Sequence, residues 1–176
     1  MNHPEAGTRE AGISRLSVPR PSILILPAIL LIVYHRVALD TNGLVAALRS
    51  DRGASRRLLL GALERSYQLV ASVPLMIEYE AVLSRDELLL ASGLSVEEVQ
   101  TLLDAVAMVA EPVRIAYLWR PLLTDTQDDM VLETAINGRA DVLVTLNLRD
   151  FAAAKGIFDV VILSPADALR WLRKRL

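Results

Sequence analysis

The sequence predicts an α/β fold with a central parallel sheet of about five strands and helices on both faces. Three observations lead there. Short apolar runs rich in Val, Leu and Ile recur at residues 36–40, 69–72, 113–116, 141–145 and 160–163, and longer stretches with helical apolar spacing separate them. Asp40, Glu78 and Asp128 each stand just past such a run or at the start of the following helix. Alternation of this kind builds a parallel sheet, and the carboxyl ends of its strands are where ligands bind. Distant acids therefore converge. Mutually repelling carboxylates in one cleft need a cation, and an all-oxygen ligand set favours Mg²⁺ or Mn²⁺ over zinc.

The elements follow in order. A strand over 36–40 leads to a helix around 44–48 and a stronger one over 54–68, with Leu58, Leu59, Ala62 and Leu63 on one face. A short buried strand at 69–72 precedes a helix over 74–85, where Pro74 suits the first turn. Another turn or two of helix over 86–91 ends at Gly93. Ser95 and Glu98 form a capping box that opens a helix to residue 109. A strand at 113–116, a helix at 128–137 stopped by Gly138, a buried strand at 141–145 and a strand at 160–163 follow, and Ser164 and Pro165 start a terminal helix.

The chain has 176 residues, 53% of them hydrophobic, enough for one domain with a core of its own. It has no cysteine, which excludes disulfides, thiolate zinc sites and a cysteine nucleophile, and fits a cytoplasmic protein. His3 and His35 are the two histidines and neither sits in a motif, so a histidine triad has nothing to be built from. The net charge of −2 announces no global field for nucleic acid. Basic residues are locally clustered: Arg49, Arg52, Arg56, Arg57 and Arg65, then Arg170, Arg173, Lys174 and Arg175 at the end. Only Lys155 and Lys174 are lysines; the rest carry the planar fork that matches phosphate.

Residues 1–32 read as a disordered or loosely attached extension, an over-long gene start, and 33–176 as the folded domain. The apolar run over 22–34 is broken by Pro27 and too short to span a membrane. A signal sequence and a true packing segment are the competing readings, although no small-residue cleavage site follows.

Each acid also has a plainer role. Asp40 could be only an N-cap. Of Asp125, Asp128 and Asp129, one is expected to serve as a cap or first-turn acid, and Asp129 is chosen for it. Glu80, on another helix face from Glu78, is read as solvated or as a partner for Arg85. Tyr79, Tyr117, Trp119 and Trp171 are read as core or interface before base-stacking groups.

Four motifs in order carry a resemblance: Val37-Ala38-Leu39-Asp40-Thr41-Asn42; Ser72 six residues before Glu78; Asp125-Thr126-Gln127-Asp128-Asp129-Met130-Val131-Leu132; and Val144-Thr145-Leu146-Asn147-Leu148-Arg149-Asp150-Phe151. Over residues 33–165 the chain resembles PIN-domain ribonucleases, in the branch of VapC-like toxin components of toxin–antitoxin systems. The resemblance implies a three-layer α/β/α PIN-like fold and a metal-dependent endoribonuclease hydrolysing RNA phosphodiester bonds. It implies a cognate antitoxin partner and a homodimer, with no membrane association. Asp40, Glu78 and Asp128 match the family's acids, while Thr41 and Asn42 match polar residues that hold the first loop. Asn147 follows Thr145 where many relatives carry a fourth acid, and Asp150 is the candidate to replace it as a ligand. With asparagine there, one Mg²⁺ or Mn²⁺ is expected to be held well and a second weakly.

The chemistry agrees with the resemblance, since a carboxylate-bound divalent ion activates water and offsets phosphate charge without a side-chain nucleophile. Two other classes compete. A haloacid-dehalogenase-type phosphatase would want a second aspartate at position 42, which is Asn42. A catalytically weak or inactive binding or scaffold module would fit Asn147.

Overall fold

The computed structural model describes residues 35–175, so the readings made for 1–32 lie outside the described residues. Within them the chain runs β1 (Arg36–Leu39), α1 (Thr41–Arg49), α2 (Ala54–Leu63), β2 (Gln68–Ser72), α3 (Val73–Leu83), α4 (Asp86–Ser92), α5 (Val96–Val109), β3 (Glu111–Val113), α6 (Thr126–Asn137), β4 (Val142–Val144), β5 (Val161–Leu163) and α7 (Pro165–Arg173), with a 3-10 turn at Ala152–Ala154. The five strands are all parallel, in the order β3-β2-β1-β4-β5, at the centre of a three-layer α/β/α fold. No helix among the described residues is long and apolar enough to cross a membrane.

Burial explains the central strands. Val37, Ala38 and Leu39 of β1 and Val142, Leu143 and Val144 of β4 are buried throughout, the continuous apolar pattern of strands covered on both faces. Val37 pairs with Leu69 on one side and Val142 on the other. Arg36 fastens the opposite edge of the sheet: its guanidinium makes a bidentate pair with Glu111 at 2.7 and 2.9 Å and its Nε donates to the Gly138 carbonyl. That pairing holds the Glu111 carboxyl below the usual range.

Of the boundaries that differ from expectation, three have a specific cause. α2 ends at Leu63 rather than 68, because Arg65 takes a left-handed φ of 56° and Ser66 N–H closes back onto the Gly61 carbonyl at 2.8 Å. β3 lies at Glu111–Val113 rather than 113–116, since Asn137 Oδ1 accepts from both Ala116 and Tyr117 N–H and so takes the donors a longer ladder would use. α6 starts at Thr126, two residues earlier than expected, capped by Asp125.

Gly138 ends α6, as expected, without taking a left-handed conformation itself. Its φ is −79°, and the left-handed residue is Arg139 at 49°. Glycine is needed because a Cβ would stand 2.8 Å from both the Thr134 carbonyl oxygen and Val113 Cγ2, and 3.3 Å from Val70 Cγ2. The helix end is pressed against β2 and β3. Gly138→Ala should destabilise the fold by about 1 to 3 kcal/mol through overpacking, a loss to be read from the midpoint of urea unfolding. An unchanged midpoint would mean that the helix end backs away from the sheet at no cost.

Candidate functional site

The sheet order reverses at β1, with β2 and β3 on one side and β4 and β5 on the other. The crevice of such a sheet opens beyond the carboxyl ends of the two strands at the reversal. Asp40 follows β1 directly, and its N–H donates to the Val144 carbonyl at 2.9 Å. Thr145, the first residue past β4, donates its hydroxyl to Asp40 Oδ2 at 2.6 Å and accepts from the Asn147 N–H at 2.9 Å. Asn42 Oδ1 accepts from the Leu146 N–H at 3.1 Å. Two strand ends far apart in sequence are thus tied into one platform.

α3 brings the second acid. Ser72 caps it by accepting from the Leu75 N–H, and Pro74 occupies its first turn without leaving a donor unpaired. Tyr79 is buried and donates its hydroxyl to the Leu39 carbonyl, fixing α3 to the end of β1. Glu78, one residue earlier, lines the crevice with Asp40. Glu80 is exposed and forms no ion pair with Arg85 among the described residues; it lines a separate hollow between α3 and α5.

α6 brings the third acid and sorts the roles of its neighbours. Asp125 is the cap, its Oδ1 accepting from the Gln127 N–H at 2.9 Å. Asp129, chosen from sequence as the cap or first-turn acid, does lie in the first turn, but it is only 1% exposed and accepts from the Leu122 and Leu123 N–H groups. Asp128 faces the crevice.

Asp40, Thr41, Asn42, Glu78, Asp125, Asp128 and Asn147 together line a cleft of about 230 Å³. The hollow between α3 and α5 is larger, about 320 Å³, but it lacks the gathered acids. Thr145 lies fully buried behind the cleft. Asp150 is exposed and outside the lining, though near enough for its charge to raise the Asp128 pKa.

Electrostatics record the crowding. Burial raises the Asp40 pKa most, and Glu78 raises it further against the hydrogen bond from Thr145. The Asp128 carboxyl is pushed up to about 6, first by burial and then by Asp40, Asp125, Asp150 and Glu78. Glu78 Oε2 and Thr41 Oγ1 are buried without any hydrogen-bond partner, and both residues line the cleft. Oxygen atoms in that condition are suited to a hard cation. Among the described residues, no three His, Cys, Asp or Glu side chains close into a ready-made ion cage.

One set of residues escaped the sequence reading. Asp129, Glu133 and Asn137 lie four apart along α6 and turn one polar face to the long segment before it. Glu133 is buried, accepts from the Trp119 N–H at 3.0 Å and pairs with Arg120 at 2.8 Å, while Asn137 brackets Tyr117 through both its N–H and carbonyl. This face holds the connection from β3 to the cap at Asp125. The four-residue spacing is visible in the sequence, but nothing local shows what the face meets. Of the aromatic residues, Tyr79 is core, Trp119 packs edge-on against Phe158 and Trp171 against His35, whereas Tyr117 is 69% exposed.

Asp128 has a folded value of about 6, above the roughly 3.9 of an unfolded chain. The folded state therefore holds that proton more tightly, and the cost of ionising it is absent below about pH 4 and complete above about pH 6. Asp128→Asn cannot ionise. In chelator it should melt higher than the parent at about pH 8 and close to it at about pH 4.5; equal shifts at both pH values would locate the effect in packing.

Residues 36–149, more than half of the chain, match the family model described as PIN domain. A comparison with curated proteins found no match. Among solved structures, the chain is similar to one from the crystal structure of VapBC2 from Rickettsia felis bound to a DNA fragment from their promoter, with 17% sequence identity, a TM-score of 0.53, and coverage of 73% of this chain and 99% of that one. That likeness concerns the fold. With a family match spanning β1 to the loop after β4, the chain belongs to the PIN domain family.

Proposed function

We propose that this protein is a divalent-cation-dependent endoribonuclease and the toxin of a toxin–antitoxin pair. The observation that carries the reading is the cleft, where Asp40, Glu78 and Asp128 meet and a buried Glu78 oxygen has no partner. PIN domains are generally nucleases that use divalent metal ions. The donor set here consists of oxygens, which favours Mg²⁺ or Mn²⁺. Mg²⁺ keeps several waters and is commonly held by one or two carboxylates plus substrate phosphate, so an open, incomplete cage suits it.

Asp40, Glu78 and Asp128 would hold the ion, with Asp150 reaching it only by turning inward. When bound, the ion supplies an activated water and offsets charge on the phosphate. The chain's own residues do the positioning. Thr145 fixes the Asp40 carboxylate through its hydroxyl, Asn42 ties the two loops together by accepting from the Leu146 N–H, and the Asn147 N–H donates to the Thr145 hydroxyl. Asp128, with a pKa of about 6 in the absence of a cation, would lose its proton as the ion arrives, so activity should rise with pH through that region.

The partner and location are inferred from the family likeness: a small antitoxin protein, a second copy of the chain and a cytoplasmic setting. The exposed residues Val73 and Ile77 on α3 and Met108 on α5 leave apolar surface for such contacts.

Asp40→Asn tests the site. It should reduce cleavage of single-stranded RNA by at least about 10²-fold, and Mg²⁺ should raise the melting temperature of the parent while barely moving that of the variant. Equal Mg²⁺ shifts would show that the ion binds elsewhere, and no cleavage by the parent in Mg²⁺ or Mn²⁺ would favour the inactive-module reading. A chain begun at Val33 tests the proposed domain boundary. It should fold and retain cleavage, because all four motifs lie beyond it; failure to fold would mean that the preceding segment is structural.

A further inference from the structure

Val45 on α1 and Val82 on α3 line the acid cleft and also a second hollow of about 310 Å³, whose remaining walls are Arg49, Arg85, Glu87, Leu88 and Ala91. The two hollows are contiguous across these valines. Arg49 is the last residue of α1 and Arg85 the N-cap of α4, and both are exposed. Arg36, Arg120 and Arg170 have carboxylate partners, whereas neither Arg49 nor Arg85 makes an ion pair among the described residues. Glu87 shares their hollow without pairing to either. The trough is thus acidic at the sheet edge and presents two unengaged guanidiniums at its other end.

An acid cleft repels a polyanion, so a nuclease of this kind needs cations beside the cleft to hold its substrate. Guanidinium groups are permanently charged and match phosphate oxygens in a fork. From Thr41 to Arg49 the helix rises about 12 Å, a few phosphates along a strand at 3.4 Å or more each.

We propose that Arg49 and Arg85 form a phosphate-binding subsite that grips the RNA strand a few nucleotides to one side of the cleft, with Val45 and Val82 as the floor between. This rests on the ribonuclease reading above. It predicts a defined polarity of the bound strand and a need for substrates long enough to reach the subsite.

The test uses the full chain and a single-stranded RNA of about 12 nucleotides, bound to the Asp40→Asn protein with and without Arg49→Gln and Arg85→Gln. The slope of log affinity against log salt should fall by about 0.7 per arginine removed, while Arg173→Gln, on α7, should leave it unchanged. With Asp40 intact, the double variant should show a KM for the long RNA raised at least about fivefold with kcat within about twofold, and should cut a dinucleotide as the parent does. An unchanged slope overturns the subsite while leaving the ribonuclease reading intact. So does an unchanged slope joined to lost binding of polyglutamate, which would mark the hollow as a protein-docking surface. Failure of the parental protein to bind or cut any RNA removes both readings.

Discussion

Like charges held where they cannot separate are the constraint around which this molecule is arranged. Asp40 is fixed by the backbone pairing of β1 with β4, Glu78 by its place midway along α3 beside Tyr79, and Asp128 by the first turn of α6. None of these positions can yield without breaking a buried element. Burial first, and the neighbouring acids after it, raise the carboxyl pKa values of Asp40 and Asp128.

Holding acids there requires support, and hydrogen bonds to the backbone supply much of it. Thr145 couples the Asp40 carboxylate to the loop after β4, and the Tyr79 hydroxyl couples α3 to the end of β1. Asp129, Glu133 and Asn137 anchor the long connection leading to α6 by accepting its N–H groups. Removing one such partner would strand a buried polar group, which is costlier than the bond's own net contribution. At the opposite edge of the sheet, Arg36 ties the start of β1 to β3 and to the end of α6. The cleft and this clamp occupy opposite ends of the same strand, so the sheet between them acts as a rigid spacer.

The likeness to the Rickettsia felis VapBC2 structure at 17% identity shows how little sequence is needed to keep this scaffold. A buried parallel sheet needs apolar residues at its strands, and many choices satisfy that need. Function is a separate matter decided by the few side chains at the reversal point. On this chain the cleft at that point carries Asp40, Glu78, Asp125 and Asp128 beside Asn147, and Arg49 and Arg85 line the adjoining hollow.

The strand and helix order was legible in the sequence because alternating buried runs and amphipathic stretches report directly on burial, and burial is what forms the elements. Ser95 was legible as a cap, and Ser164 as the start of the last helix, for a similar reason: a side chain three residues from the amide it caps acts locally. What depended on distant partners was not. The sequence could not say that Asp129 turns inward and Asp125 caps, because the amides of Leu122 and Leu123 come from a segment whose path is set by Glu133 and Asn137. Nor could it say that β3 stops at Val113, or that Gly138 is demanded by Val113 and Val70 rather than by a left-handed turn. Local sequence determined which elements form; only tertiary structure decided that Asp125 joins the cleft lining while Asp150 stays outside it, and which oxygens are left without partners, because hydrogen-bond satisfaction in a buried site is settled by residues remote along the chain.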